Sequence, residues 1–158
     1  MKFPIQSKFR ISSPYGQRWG ELHNGIDIAV IENTPVYAPA PGIVAESYWN
    51  PKGGNQMLID HPGGWRTGYA HLNKKLNAGT KVKRNQLIAY SGNTGQSSGA
   101  HLHFTLRHNG ELVDPLTKRW TYPKGLQTTN DYPIKRTNYT ALLIPAGLAV
   151  LTILILRR

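Results

Sequence analysis

The stretch GAHLHFTLR, residues 99–107, places His101 and His103 two residues apart in a run that alternates polar and apolar. In a strand, side chains at i and i+2 share a face, so both imidazoles stand on one side and Leu102 and Phe104 on the other. Such a pair is weak as a motif unless other ligand-type residues reach the same face. Three candidates exist: His23 and Asp27 in HNGID, and His71 at the end of the strand-like WRTGYAHL. A zinc site that does chemistry takes three protein ligands of His and carboxylate type and leaves a fourth position for water. His23, Asp27 and one histidine of HLH meet that number. The two histidines left over suit proton transfer or charge stabilisation beside the water. Singly, His23 and Asp27 also read as a turn-stabilising hydrogen bond, and His71 as a satisfied histidine at a strand end. Their conjunction favours a site.

The elements that must position these residues are short and β-rich. From residue 24 to 113, strand-like runs (GIDIAV, GIVAESYW, NQMLIDH, WRTGYAHL, QLIAYS, HLHFTLRH) alternate with Pro/Gly punctuation, and no amphipathic helix interrupts them. NQMLIDH and WRTGYAHL predict a hairpin turning at Pro62-Gly63-Gly64. Gly25 argues for a turn into the strand Ile26–Val30 rather than a helix. The expectation is a mainly β fold, a compact antiparallel sheet over residues 1–117.

The ordered set HNGID, YAHL, SGNTG, HLHF and VDPL resembles the lysostaphin-type (LytM-like) zinc metalloendopeptidases, which cleave peptide bonds of bacterial peptidoglycan. The similarity runs from about Ile11 to Pro115. Carried over position by position, it implies zinc ligands His23, Asp27 and His103, with His71 and His101 as catalytic histidines beside an activated water. There is no HExxH, so these histidines take the place of a glutamate base. Ala100 and Thr105 stand where the family often has Pro and Glu. Asn85 stands where a turn glycine is usual, and Asn tolerates the left-handed conformation. His61 and His108 match no catalytic position and read as structural or surface residues. Tyr15, Trp19, Tyr48, Trp49 and Trp65, with the loop Ser91–Gly99, are candidates either for a peptide groove or for packing. A non-catalytic wall-binding or structural membrane protein on the same fold, and a zinc peptidase with a protein substrate, are the competing readings.

The 158 residues carry a formal charge of +11 and no cysteine, which removes disulfides, thiolate metal sites and cysteine nucleophiles. Up to residue 115 there are 12 Lys/Arg against 7 Asp/Glu, and after it 7 against 1, so more than half the excess lies in the last quarter. No helix-turn-helix, RNP-type strand or zinc-finger pattern is present, and no nucleic-acid partner is expected. Residues 118–138 lack periodicity and read as a linker. Ala141–Leu156 holds sixteen residues without a charge. Counted from Tyr139, the segment is about 27 Å long as a helix, against a hydrocarbon core of about 30 Å. Flanked by Lys135-Arg136 and Arg157-Arg158, residues 139–158 are expected to form a single C-terminal transmembrane helix, making the lipid bilayer a partner. The N-terminus shows no signal-peptide pattern. A cytoplasmic domain would then lie away from the wall, so a phage virion membrane or a bacterial cell envelope is the expected location.

Overall fold

The structure, a computed structural model, describes residues 1–122. Twelve strands follow in chain order: β1 (Arg10–Ser13), β2 (Gly16–Arg18), β3 (Glu21–His23), β4 (Ile26–Ala29), β5 (Pro35–Tyr37), β6 (Gly42–Asn50), β7 (Gly54–His61), β8 (Trp65–Lys75), β9 (Lys81–Val82), β10 (Leu87–Ser91), β11 (His101–His108) and β12 (Glu111–Val113). One turn of 3₁₀ helix, Pro115–Thr117, closes them, with the Asp114 carboxylate accepting from the Leu116 N–H at its start. Every strand pairing is antiparallel. The main sheet runs β1-β4-β11-β8-β7-β6-β9, with β10 bridging β5 and β8, and β12 beside β11; β2 and β3 form a separate hairpin. The β7–β8 hairpin turns at residues 62–64 as expected, with Gly63 and Gly64 both at positive φ. Asn85 is held at φ +70°, the left-handed conformation its turn requires.

Alternation fixes which face of the sheet is buried. Leu102, Phe104 and Leu106 of β11 and Ile26 and Ile28 of β4 are fully buried with Met57, Ile59, Tyr69 and Leu72. The intervening residues of β4 and β11 face the other way. Burial of the apolar set therefore locks the register, because a one-residue slip would send Leu102 and Phe104 to the polar face.

Both ends of the described chain close this core. Phe3 stacks on Phe9 with centroids 4.8 Å apart and meets Trp120 edge-on at 5.7 Å. Tyr122 also packs on Phe3, Trp120 meets Phe104, and Lys2 pairs with Thr121. Lys118 places its ammonium 3.6 Å from the Trp65 ring centroid, while His108 stacks on that ring. Residues 118–122, expected as the start of a linker, are thus packed against the sheet. Their aromatic spacing has no period, so only tertiary contacts identify them. The rest of the expected linker and the apolar segment 139–158 lie outside the described residues. Among the described residues, no helix is long and apolar enough to cross a membrane.

His61 is structural, in line with its lack of a family match. It is buried, with Nδ1 2.9 Å from the Pro41 carbonyl and Nε2 2.8 Å from Thr67 Oγ1, which in turn meets the Tyr69 hydroxyl at 2.9 Å. Burial pushes its pKa below the ordinary value, opposed by its carbonyl contact and by Asp60. A histidine buried neutral binds its proton more readily once unfolded. Its contribution is therefore complete above about pH 6.5 and is lost as the pH falls toward the folded value. Thermal unfolding should accordingly drop between pH 7 and pH 5, and His61→Gln should flatten that slope while lowering stability at pH 7. An unchanged slope would assign the acid sensitivity to other groups.

Candidate metal centre and cleft

β4 and β11 meet with Asp27 directly opposite His103. Opposed residues of an antiparallel pair project from the same face with Cβ atoms about 5 Å apart. His23 arrives at the end of β3, four residues before Asp27. The chain between passes so close to β11 that a Cβ on Gly25 would stand 2.5 Å from the Phe104 carbonyl and 3.0 Å from the His103 ring. Gly25 is therefore required for close approach; its φ is not in the left-handed range.

Three atoms converge: His23 Nε2, Asp27 Oδ1 and His103 Nδ1. They lie 3.1 Å (His23–Asp27), 2.8 Å (Asp27–His103) and 3.1 Å (His23–His103) apart. Ligand atoms at about 2.0–2.2 Å from one tetrahedral ion stand about 3.3–3.6 Å apart, so a small spread admits a cation. The outer contacts orient the rings. His23 Nδ1 lies 2.6 Å from the Pro14 carbonyl and His103 Nε2 lies 3.0 Å from Asn24 Oδ1. Each outer nitrogen meets an oxygen acceptor and so carries hydrogen. In the neutral rings this turns the inner lone pairs toward Asp27, the arrangement by which metal-ligating imidazoles are held. Burial raises the Asp27 carboxyl, but whenever His103 or His23 carries hydrogen on its inner nitrogen instead, that hydrogen bond outweighs burial and holds the group well below the usual carboxylate range. Burial also lowers His103, against the pull of Asp27. Arg18 stands 3.5 Å from Asp27 Oδ2 and bonds Ser13 Oγ, leaving Oδ1 to face the two imidazoles.

His71 and His101 flank this group. The sequence reading ends a strand at His71, whereas β8 continues to Lys75. His71 sits at φ +60° in a bulge, where Ala70 and His71 lie between the pairings Met57↔Tyr69 and Asn55↔Leu72. Bulges re-aim side chains, and this one brings the His71 ring to 4.6 Å from His101 and 6.2 Å from His103. Both rings are oriented by the loop after β10. His71 Nδ1 donates to the Thr94 carbonyl at 2.7 Å, and His101 Nδ1 to the Gly99 carbonyl at 2.8 Å. The Nε2 atoms are left for chemistry; that of His101 lies 3.7 Å from Asp27 Oδ1. Burial pushes the His71 pKa down against the Thr94 contact, favouring the neutral ring.

The five residues line a cleft of about 740 Å³. Of the aromatic candidates, Trp19 borders it; Tyr15 packs on the core and Trp65 is stacked under Lys118 and His108. Ser97 and Ser98 of the glycine-rich loop border it too. Asn24, Arg18 and the carbonyls of Pro14, Thr94 and Gly99 escape a sequence reading. Backbone acceptors leave no residue signature, and Asn24 signals itself only by adjacency to His23.

A family model described as Peptidase family M23 matches residues 21–115. The chain belongs to peptidase family M23. Peptidoglycan DD-endopeptidase ShyA of Vibrio cholerae is 39% identical to it over 123 residues, covering 73% of this chain and 29% of that protein. A zinc-containing peptidase from Vibrio cholerae shares the fold with a TM-score of 0.69 at 33% identity, over 75% of this chain and 40% of that one. The antimicrobial peptidase lysostaphin from Staphylococcus simulans gives 0.65 at 31% identity, over 74% and 53%. The M23 chain spans between a quarter and a third of the length of the curated relatives it matches.

Dialysis against a divalent metal followed by elemental analysis should separate the two sets of residues. Alanine at His23, Asp27 or His103, and Gly25→Ala through displacement of His103, should each abolish tight binding. His71→Ala and His101→Ala should retain about one ion per chain. Loss of metal in the His101 variant with retention in the His103 variant would invert the assignment.

Proposed function

We propose that this chain is a zinc endopeptidase that hydrolyses peptide bonds of bacterial peptidoglycan. The observation that carries the reading is the convergence of two lone-pair imidazole nitrogens and one carboxylate oxygen, flanked by two further histidines in one open cleft. The donor set of two histidines and one aspartate fits Zn²⁺, which accepts nitrogen and carboxylate ligands in a four-coordinate site with one position open. The wall substrate is supported by similarity to the peptidoglycan DD-endopeptidase.

Zinc, when bound, supplies the Lewis acidity that polarises a carbonyl and makes water nucleophilic near neutral pH. His71, kept neutral by burial with its Nδ1 proton committed to Thr94, offers Nε2 to take the proton of the attacking water. The resulting imidazolium can return that proton to the leaving amine. His101, its Nδ1 proton donated to Gly99, faces the same space through Nε2; as the doubly protonated imidazolium it donates from Nε2 to the carbonyl oxygen as negative charge develops there. The Thr94 and Gly99 carbonyls fix both rings, so neither must reorganise during the reaction.

Membrane anchoring through residues 139–158 is part of this proposal, supported by the sixteen uncharged residues Ala141–Leu156. Placing such a segment in water exposes apolar area worth about 25 cal/mol per Å², tens of kcal/mol in gross terms. The full-length chain should partition with membranes and need detergent, and Leu148→Arg with Ile153→Arg should release it. Recovery of the unaltered chain in the aqueous fraction would remove the anchor.

Digestion of purified muropeptides is the test of activity. The zinc-loaded protein should cleave stem or cross-link peptides, a chelator should stop it, and added zinc should restore it. His71→Ala and His101→Ala should fold and bind metal yet lose about 10²- to 10⁴-fold in rate. Near-full activity in either variant would remove that residue from the chemistry.

A further inference from the structure

The β2–β3 hairpin turns on Trp19 and Gly20, with φ of +49° and +83°. Arg18 and Glu21 are the last pair before the turn. Two central residues at positive φ make the type I′ pattern, whose first position favours Asn, Asp or Gly. A tryptophan there is held in a conformation that its Cβ disfavours. Packing does not account for it, because Trp19 is 92% exposed, more than any other large apolar residue among those described. One face of the indole is approached by the Arg18 guanidinium, 5.3 Å from the ring centroid. Trp19 borders the same cleft as the five site residues. Strained backbone carrying a solvent-exposed aromatic beside a reactive centre is a cost to the fold that a ligand can offset.

Distance and chemistry define that ligand. The turn carrying Trp19 lies about one rise beyond the Arg18–Glu21 pair and His23 lies two rises back along β3, which sets Trp19 about 10 Å from His23 at strand-like rise. An extended peptide covers that distance in about three residues. The remaining border is rich in neutral hydrogen-bonding groups, among them Asn50, Gln56, Gln96 and Ser97. Such groups suit a peptide main chain, and a flat indole takes a main chain lying flush when its side chains are small. We propose that Trp19 is a substrate-docking residue that holds the main chain of an extended peptide about three residues from the scissile bond; this deepens, and rests on, the peptidase reading above.

The test compares the zinc-loaded full chain with Trp19→Asn and Trp19→Phe on glycine/alanine peptides and muropeptides lengthened one residue at a time on each side of the cleaved bond. Trp19→Asn creates the Asn-Gly pair that this turn prefers, so its thermal midpoint should equal or exceed that of the unaltered chain. Its KM should rise about tenfold for substrates reaching the third residue on one side, with kcat held within about threefold, whereas shorter substrates should show no change. Trp19→Phe should keep most of the affinity for long substrates. Equal KM values at every length, or an equal loss on short and long substrates, would overturn the docking role while leaving the peptidase reading intact. Absence of cleavage by the unaltered chain on every substrate would overturn both.

Discussion

Two imidazole nitrogens and a carboxylate oxygen held about 3 Å apart with their lone pairs facing inward form an arrangement that requires positive charge at its centre. Protons on the inner nitrogens can supply part of it. They do so poorly, because the two inner nitrogens are only 3.1 Å apart and cannot both carry hydrogen toward one oxygen without crowding. One divalent cation satisfies all three donors at once. The outer contacts to Pro14 and Asn24 mean that this arrangement is maintained by the fold rather than assembled by the ion.

What the fold supplies is register. Asp27 faces His103 because Ile26, Ile28, Leu102 and Phe104 are buried on the opposite side of the same two strands, so the apolar core and the polar site are fixed together. Gly25 lets the connection from His23 pass over β11. The bulge at His71 and the loop carbonyls of Thr94 and Gly99 then place two more imidazoles beside the group. The β2–β3 hairpin is the least integrated part of this arrangement. It contributes His23 at one end and exposes Trp19 at the other.

Much of this is legible in the residues. The alternation of HLHF by itself puts two histidines on one face, and the HNGID spacing names their partners. Ordered motifs along residues 11–115 identify the family, and the Pro-Gly-Gly turn and the left-handed Asn85 follow from turn chemistry. The limits have physical causes. His71 reads as a strand end because a left-handed bulge residue inside a strand has no compositional signal unless it is glycine. Trp120 and Tyr122 read as linker because their burial depends on Phe3 and Phe104, far away in sequence. Gly25 stands out in the sequence as a turn residue, whereas the fold selects glycine there for close approach; both demands favour the same residue.

The most direct test of the central claim is a crystal structure of the metal-loaded chain with anomalous diffraction recorded across the zinc absorption edge. One peak is expected, about 2.0–2.2 Å from His23 Nε2, Asp27 Oδ1 and His103 Nδ1, with Pro14 and Asn24 still accepting from the outer nitrogens. A peak bound through His103 Nε2, or through His101 in place of His103, would contradict it.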